Sequence, residues 1–325
     1  MTNNIVLVTG VAGFIGSKTA QVLLENDYTV VGIDNMNDYY DVRLKEHRLS
    51  QLQGKPNFEF IQMDIENYDK LDELFKEKQF SHVINLAARA GVRYSMINPF
   101  VYMTTNANAT LNLLELMRKY EINKMVLAST SSLYAGQPMP FKETLPVNQP
   151  ISPYAASKKA AEMMAHAYSY QYGLDISVVR FFTVYGPAGR PDLSIFRFIN
   201  WIDEGDPIEL FGDGRQSREF TYVDDIDNGV LKALKPVGFE IINIGGGNNP
   251  ISINYCIEFI EKYLDKKAKI EYKPFHKADI KETWADISKA KDLLDWQPTI
   301  GLDEGIKRSI DWYLENKSWL QDIEL

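Results

Sequence analysis

The segment Tyr154-Ala155-Ala156-Ser157-Lys158 places a phenol and an ammonium four residues apart. In a helix this spacing is about one turn, so Tyr154 and Lys158 would lie on the same face. A free tyrosine titrates at about pH 10, and a nearby cation stabilises the phenolate and lowers that pKa. The pair is therefore a candidate general base that removes a proton from an alcohol.

The spacing alone does not identify the base, because the chain contains 18 tyrosines and 35 lysines and arginines. Three further pairs match it, namely Tyr120/Lys124, Tyr263/Lys267 and Tyr313/Lys317. The local sequence favours Tyr154, because Ser152 suits the N-cap and Pro153 the first position of its helix. By contrast, Tyr120 ends a predicted helix and its lysine would open the next strand.

A doubly wound parallel sheet, an α/β Rossmann fold, is predicted from the alternation of short apolar runs and helical patterns. The predicted strands are residues 5–9, 29–33, 58–62, 82–86, 124–129 and 176–181. The predicted helices between them are residues 14–26, 68–78, 107–120 and 154–172. Ligands of such sheets bind at the carboxyl ends of the strands.

After about residue 186 the chain becomes richer in glycine, proline and charge. We predict a Rossmann domain over residues 1–186 and a smaller, interleaved lobe over 187–325, with some later elements returning to the first domain. Helices of the lobe are expected at residues 195–204, 223–234, 254–264, 288–294 and 303–315. The cleft between the two parts is the expected site.

The overall composition limits the possible partners. The chain has 325 residues, a net charge of −9 and no long basic run, which argues against a nucleic-acid scaffold. No segment has 18 consecutive apolar residues, so no membrane partner is predicted, and no metal site is predicted either. The single cysteine, Cys256, excludes an internal disulfide framework and favours the cytoplasm.

A glycine-rich turn follows the first predicted strand and opens the first helix. Gly10, Gly13 and Gly16 would let the backbone approach a pyrophosphate, which the N–H groups of the helix N-terminus attract. Phe14 and Ile15 lie within the same turn. This pattern predicts a dinucleotide cofactor.

The end of the second predicted strand distinguishes between the two nicotinamide dinucleotides. Asp34 would accept hydrogen bonds from the adenosine ribose and repel a 2′-phosphate. Asn35 follows it instead of an arginine, so the sequence predicts NAD and not NADP. Further cofactor contacts are expected after the third and fourth strands, from Asp64, Ile65, Leu86, Ala87 and Ala88.

The fifth predicted strand delivers Thr130, Ser131 and Ser132 to the carboxyl end of the sheet. A hydroxyl at this position can share a hydrogen bond with the alcohol that Tyr154 deprotonates. Thr130 is therefore the predicted partner of the base.

These motifs, in this order and spacing, resemble the extended short-chain dehydrogenase/reductases, specifically the nucleotide-sugar epimerases and dehydratases. The resemblance covers essentially the whole chain, and residues 180–187 (RFFTVYGP) and 218–225 (REFTYVDD) are also similar to segments of that family. Within it, residues 37–45 (NDYYDVRLK) and 88–95 (ARAGVRYS) are similar to the UDP-glucuronate 4-epimerases. The resemblance implies epimerisation through a 4-keto sugar, with Lys158 binding the nicotinamide ribose and lowering the pKa of Tyr154.

The same resemblance implies which residues contact the substrate. Arg190 and Arg218 match the family's positions for the UDP pyrophosphate, and Arg93 is expected nearby. Ser131, Ser132 and Thr183 are expected to hold the sugar carboxylate and so to disfavour loss of carbon dioxide. Relatives commonly read Pro-Gly-Asp near the uridine ribose, whereas this chain reads Lys277-Ala278-Asp279, in which Asp279 is expected to keep the contact.

Other functions remain open on the sequence alone. A UDP-glucose or UDP-N-acetylglucosamine 4-epimerase would use the same residues. Dehydratases and uronate decarboxylases place acidic residues in the triplet after the fifth strand, where this chain has only hydroxyls, and a non-catalytic NAD-binding sensor could lose the Tyr/Lys pair that this chain keeps. The resemblance further implies a homodimer formed through the helices at 107–120 and 154–172.

Overall fold

The computed structural model describes residues 4–247, 250–274 and 282–323. Its strands are β1 (Ile5–Thr9), β2 (Thr29–Asp34), β3 (Phe58–Gln62), β4 (His82–Asn85), β5 (Lys124–Thr130), β6 (Asp175–Phe181), β7 (Thr183–Tyr185), β8 (Pro207–Phe211), β9 (Ser217–Arg218), β10 (Phe220–Tyr222), β11 (Phe239–Ile244), β12 (Ile251–Ser252) and β13 (Lys269–Lys273).

The helices are α1 (Phe14–Glu25), α2 (Val42–Ser50), α3 (Tyr68–Lys78), α4 (Val92–Ile97), α5 (Phe100–Tyr102), α6 (Ala109–Lys119), α7 (Pro153–Tyr172), α8 (Ser194–Glu204), α9 (Val223–Lys232), α10 (Ile253–Leu264), α11 (Ser288–Leu294) and α12 (Leu302–Leu320). A π-helical segment, Met103–Asn108, joins α5 to α6, and a 3₁₀ turn, Ser131–Tyr134, follows β5.

Seven parallel strands form the central sheet in the order β11-β6-β5-β4-β1-β2-β3. Apolar side chains of β1, β4, β5 and β6 are buried in two core clusters, which explains their continuous apolar sequences. The doubly wound α/β fold is therefore confirmed. The strand order reverses between β1 and β4, and that switch point is where such sheets bind ligands.

The helix that carries the candidate base begins as predicted. The Ser152 hydroxyl accepts a hydrogen bond from the Ala155 N–H at 3.2 Å, Pro153 occupies the first turn, and Gly173 ends the helix in the left-handed conformation at φ +72°. Since Tyr154 lies two residues after the cap, this local sequence determines where its side chain leaves the helix.

Several elements differ from the sequence-based expectation. The helix α2 was not predicted, because half of its buried residues are charged: Lys45 and Arg48 are 4% and 3% exposed. The helix expected at 107–120 begins at Ala109 and is preceded by the π-helical segment. Three pairs of short strands were also not predicted, because strands of two to five residues show little periodicity. These pairs are β7–β10, β8–β13 and β9–β12.

Elements from beyond residue 186 contact the first half of the chain. The strand β11 pairs with β6 at the edge of the central sheet, and α9 packs against α1. The proposed division at residue 186 stays a prediction. Across the described ranges, no helix is long and apolar enough to span a bilayer.

Candidate active site

A cavity of about 400 Å³ opens at the carboxyl ends of the central strands. It brings together the glycine turn, the end of β2, the loops after β3 and β4, and the triplet after β5. The predicted residues that line it are Gly10, Gly13, Phe14, Ile15, Gly16, Asp34, Asn35, Asp64, Ile65, Leu86, Ala87, Ala88, Thr130, Ser131, Ser132, Tyr154, Lys158, Thr183 and Arg190.

The glycine turn is tight enough to require its glycines. Gly10 has φ +70°, and a Cβ there would lie 2.8 Å from the backbone of Ala87 in the neighbouring loop. A Cβ on Gly16 would clash with the Gly10 carbonyl. Gly13 is the N-cap of α1 and has no side chain to cap it, so the first N–H groups of α1 stay available for an anion.

Asp34 is fixed at the edge of the cavity. Its carboxylate accepts hydrogen bonds from the N–H groups of Ala12 and Met36 at 3.2 and 2.9 Å. The ammonium of Lys45 on α2 lies 3.7 Å away in a buried ion pair. Asn35 donates to Asp64 at 2.8 Å, which joins the ends of β2 and β3 on the expected adenosine side.

Tyr154 and Thr130 meet inside the cavity. Burial raises the pKa of Tyr154, while the hydrogen bond with the Thr130 side chain and the charge of Arg190 act in the opposite direction. The Thr130 hydroxyl also lies 3.1 Å from the Ser132 hydroxyl. The phenol is thus surrounded by groups that favour its ionised form, although they do not offset its burial here.

Lys158 is 5% exposed and donates to the Ala128 carbonyl at 3.0 Å. Burial lowers its pKa to about 8, and the carboxylate of Glu162, one turn further along α7, acts in the opposite direction. Arg180 binds both oxygens of Glu162 at 2.8 Å in a fully buried pair. Lys158 itself donates to a neutral carbonyl, so its charge remains available to the cavity.

The other three Tyr/Lys pairs lie elsewhere and are bound to structural partners. Tyr120 donates to Asp72 at 2.9 Å, while Lys124 pairs with Asp175. Tyr263 donates to Asp311 and its lysine binds Glu261, while Tyr313 accepts from Asn200 and its lysine binds Asp203. Tyr154 and Lys158 are the only matching pair that lines this cavity within the described part of the chain.

The predicted substrate residues are not all at this cavity. Ser131, Ser132, Thr183 and Arg190 line it, and Arg190 also binds Asp192 at 2.9 and 2.6 Å. Arg93 lies outside the lining, with its guanidinium 4.1 Å from the ring centroid of Phe211.

Two further substrate predictions concern the later part of the chain. Arg218 also lies outside the lining, in β9, where it donates to the Ser217 carbonyl at 2.8 Å. Asp279 falls outside the described residues.

Arg48 is a residue that sequence reasoning missed. From α2, its guanidinium donates to the carbonyls of Ala12, Ala188 and Gly189 at 3.3, 2.9 and 3.0 Å. It also donates to the Tyr40 hydroxyl at 2.6 Å. One buried cation therefore joins the glycine turn to the loop that carries Arg190.

Asn106, in the π-helical segment, was also missed. Its amide donates to the Arg89 carbonyl and to the Ser157 hydroxyl at 2.9 Å, and its oxygen accepts from the Arg89 N–H at 2.9 Å. Ser157 in turn donates to the Tyr154 carbonyl at 2.8 Å. The loop after β4 is thereby tied to the helix of the base, and a π-helical insertion is a recognised sign of a functional site.

A model of the GDP-mannose 4,6 dehydratase family matches residues 7–309. Among curated proteins, a UDP-glucuronate 4-epimerase of Thermodesulfobacterium geofontis is 58% identical over 319 residues, which cover 98% of this chain and 99% of the relative. The likeness therefore includes every element around the cavity.

Solved structures agree over the same length. The UDP-glucuronic acid 4-epimerase of Bacillus cereus, in complex with UDP-glucuronic acid and NAD, has a TM-score of 0.91 and 39% identity, and covers 96% of this chain and 99% of that one. The UDP-glucose 4-epimerase of Thermotoga maritima, with UDP-glucose, has a TM-score of 0.88 and 31% identity at the same coverage.

Proposed function

The chain belongs to the GDP-mannose 4,6 dehydratase family, and within this family we propose that it is an NAD-dependent UDP-glucuronate 4-epimerase. It is an isomerase that converts UDP-glucuronate to UDP-galacturonate through a 4-keto sugar. The observation that carries the proposal is the cavity in which Tyr154 meets the all-hydroxyl triplet Thr130-Ser131-Ser132. The identity of 58% to a UDP-glucuronate 4-epimerase supports the choice of sugar.

The residues around the glycine turn fit NAD. The uncapped N–H groups at the start of α1 suit its pyrophosphate, and the fixed carboxylate of Asp34 suits a ribose with free hydroxyls. We assign the adenosine side to Asn35, Asp64 and Ile65, and the nicotinamide side to Lys158 and the loop after β4. When bound, NAD accepts a hydride from the sugar C4 and returns it to the opposite face.

Tyr154 is assigned as the general base. Its phenolate takes the proton of the sugar 4-hydroxyl and later returns it, with the Thr130 hydroxyl holding the same oxygen in place. Since burial raises the pKa of Tyr154, the base needs positive charge beside it. The charge of Arg190 acts in this direction, and we assign the same task to Lys158, which lines the same cavity. No carboxylic acid is needed, because the reaction eliminates no water.

The hydroxyl groups also suit a uronate substrate. Its 4-keto form is a β-keto acid, which loses carbon dioxide readily when the breaking bond lies perpendicular to the carbonyl plane. We assign Ser131, Ser132 and Thr183 to hold the carboxylate in another orientation. All three line the cavity near the base.

The test is direct. The purified protein, with its bound nucleotide identified, is incubated separately with UDP-glucuronate and UDP-glucose, and the products are separated by chromatography. UDP-galacturonate from the first incubation is the expected product. Faster conversion of UDP-glucose would favour the related epimerase instead, a UDP-pentose would reveal a decarboxylase, and no conversion of either would leave a binding protein.

A homodimer forms part of the proposal. The predicted contact uses α6 and α7, and of these α7 exposes Met163 and Tyr170. The helices α4 and α5, which adjoin α7, expose Ile97 and Phe100 to 78% and 79%. Exposed apolar side chains gathered on neighbouring helices suit a subunit contact. Light scattering at several concentrations would give the mass of one chain or of two.

We further infer a cytoplasmic location. The thiol of Cys256 is free and buried, and cysteines remain reduced in that compartment.

A further inference from the structure

The segment between β2 and α2 reaches across to the catalytic part of the cavity. Tyr39, from this segment, is half-buried and lines the cavity together with Tyr154. Its ring lies 5.3 Å from that of Tyr94, and the ring of Tyr102 lies 6.5 Å from that of Tyr94 and 6.0 Å from that of Tyr154. A chain of tyrosines therefore connects this segment with the base.

Two guanidinium groups lie over the ring of Tyr39. Arg89, from the loop after β4, and Arg190, from the loop after β7, each place Cζ 5.7 Å from its centroid. Both arginines line the cavity. An aromatic face attracts a guanidinium while leaving the N–H groups at its edge free to bind oxygen atoms.

The surroundings of Tyr39 are built for this contact. The Asn37 side chain accepts from Arg89 at 3.0 Å and from the Tyr39 N–H at 3.2 Å, which joins the two residues through one amide. Gly91 has φ +119°, and a Cβ there would lie 2.7 Å from the Tyr39 hydroxyl oxygen. Any larger residue at position 91 would push the ring of Tyr39 away.

We propose that Tyr39 is a positioning residue that holds Arg89 and Arg190 as a pair of cations for an anionic group of the substrate. The proposal rests on the proposed function and adds a specificity role for the segment after β2. Without the ring, both guanidinium groups would lose the aromatic face on which they lie, while Arg190 would keep its ion pair with Asp192. The anion is either the sugar carboxylate or the diphosphate, since both offer paired oxygens to a guanidinium.

Two substitutions separate the ring from its hydroxyl. Tyr39→Phe keeps the aromatic face, whereas Tyr39→Leu keeps apolar bulk and removes the face. Tyr94→Leu is the matched control, because Tyr94 belongs to the same cluster and lies outside the cavity lining. Bound NAD and the unfolding temperature are measured for every variant, so that loss of cofactor or of folding is recognised.

The expected result is a split between KM and kcat. Tyr39→Leu should raise KM for UDP-glucuronate by about five- to tenfold, the size of one or two cation–π contacts, with kcat within about twofold. Tyr39→Phe and Tyr94→Leu should both stay near the wild type. Inhibition by UDP identifies the anion: a weaker inhibition constant in Tyr39→Leu assigns the diphosphate, and an unchanged one assigns the carboxylate.

A double-mutant cycle tests whether Tyr39 acts through the two arginines. In the Arg89→Met and Arg190→Met backgrounds, Tyr39→Leu should lose part of its effect, because the contacts have already gone. Equal KM values for Tyr39→Leu and Tyr39→Phe, or the same rise in Tyr94→Leu, would overturn the proposal.

A failure of the proposed function would look different. The wild-type protein would then form no UDP-galacturonate. The role of Tyr39 would still be decided by calorimetric binding of UDP and UDP-glucuronate to the same three variants.

Discussion

Tyr154 and Lys158 share one turn of α7, whereas Tyr120 and Lys124 span the end of α6 and the start of β5. Tyr120 donates to the carboxylate of Asp72, and partial burial together with that hydrogen bond raises the pKa of its phenol. A carboxylate acceptor stabilises the neutral phenol and makes it a poor base.

The two lysines differ in the same way. Lys124 is neutralised by Asp175 and also donates to Ser177 and to the Lys235 carbonyl. Lys158 donates to a neutral carbonyl, and the carboxylate one turn away is already bound by Arg180. The comparison teaches that the proposed catalytic pair is the one whose charges are left without a close counter-charge, which carries a cost in stability.

The largest expected effect comes from removing the hydroxyl of Tyr154, with removal of the Tyr120 hydroxyl as the matched control. Tyr154→Phe should lower kcat/KM by about 10²–10⁴-fold, because the proton of the substrate alcohol loses its acceptor. Tyr120→Phe should leave kcat/KM within about twofold, since its hydroxyl lies outside the cavity. Product formation is measured by chromatography, with bound NAD and unfolding temperature as controls. Turnover that survives in Tyr154→Phe would remove the basis of the comparison.

The next effect concerns the stability cost of Lys158. Burial lowers the pKa of Lys158 to about 8 from an ordinary value of 10.5, so the folded protein favours the neutral amine more than the unfolded chain does. The penalty is fully present below pH 8 and disappears as the pH rises through about 10.5. It amounts to about 3 kcal/mol at pH 7.

Lys158→Met should therefore stabilise the NAD-free protein at pH 7 by up to about 3 kcal/mol, while abolishing most of the activity. The gain should shrink towards pH 10, where wild-type Lys158 is largely neutral when folded. Urea unfolding at several pH values measures it, after absorbance has shown that no nucleotide remains. A gain that does not change with pH would mean that the charge of Lys158 is not its cause.

Burial lowers the pKa of Lys124 as well. Lys124→Met should nevertheless destabilise the protein, because Lys124 pairs with a carboxylate, whereas Lys158 donates to a neutral carbonyl. The substitution leaves the partly buried carboxylate of Asp175 without its cation, although the N–H groups of Val237 and Gly238 still donate to it. The expected loss is about 1–3 kcal/mol of unfolding free energy, with the activity of the folded fraction retained. Lys119→Met, at an exposed pair with Asp72, is the control and should hardly move the urea midpoint.

Much of the fold could be predicted because buried parallel strands have continuous apolar sequences, as in β1 and β5. The helix α2 could not, since two of its four buried residues, Lys45 and Arg48, are cations and weaken the apolar pattern. Likewise, no local pattern in the sequence of β11 indicates that this strand pairs with β6 at the edge of the sheet. That choice depends on contacts between distant segments.

The candidate site also contains residues that could be predicted from the sequence and residues that could not. The glycine turn and the pair Tyr154/Lys158 are local patterns with a local mechanism, so they could be recognised. Arg48 contacts Ala188 across 140 positions of sequence, and Tyr39 contacts Arg190 across a similar separation. Such contacts have no sequence signal of their own, because each partner alone is an ordinary polar or aromatic residue.

The smallest expected effect tests the cap that positions the base. The Ser152 hydroxyl caps α7, and the Ser252 hydroxyl caps α10 with the same geometry, each accepting a backbone N–H at 3.2 Å. Ser152→Ala and Ser252→Ala should each lower the unfolding free energy by about 1 kcal/mol. Only Ser152→Ala should also lower kcat, by a few-fold, because Tyr154 lies in the turn that the cap holds. If both variants kept full kcat at equal cost in stability, packing of α7 and not its cap would position the phenol.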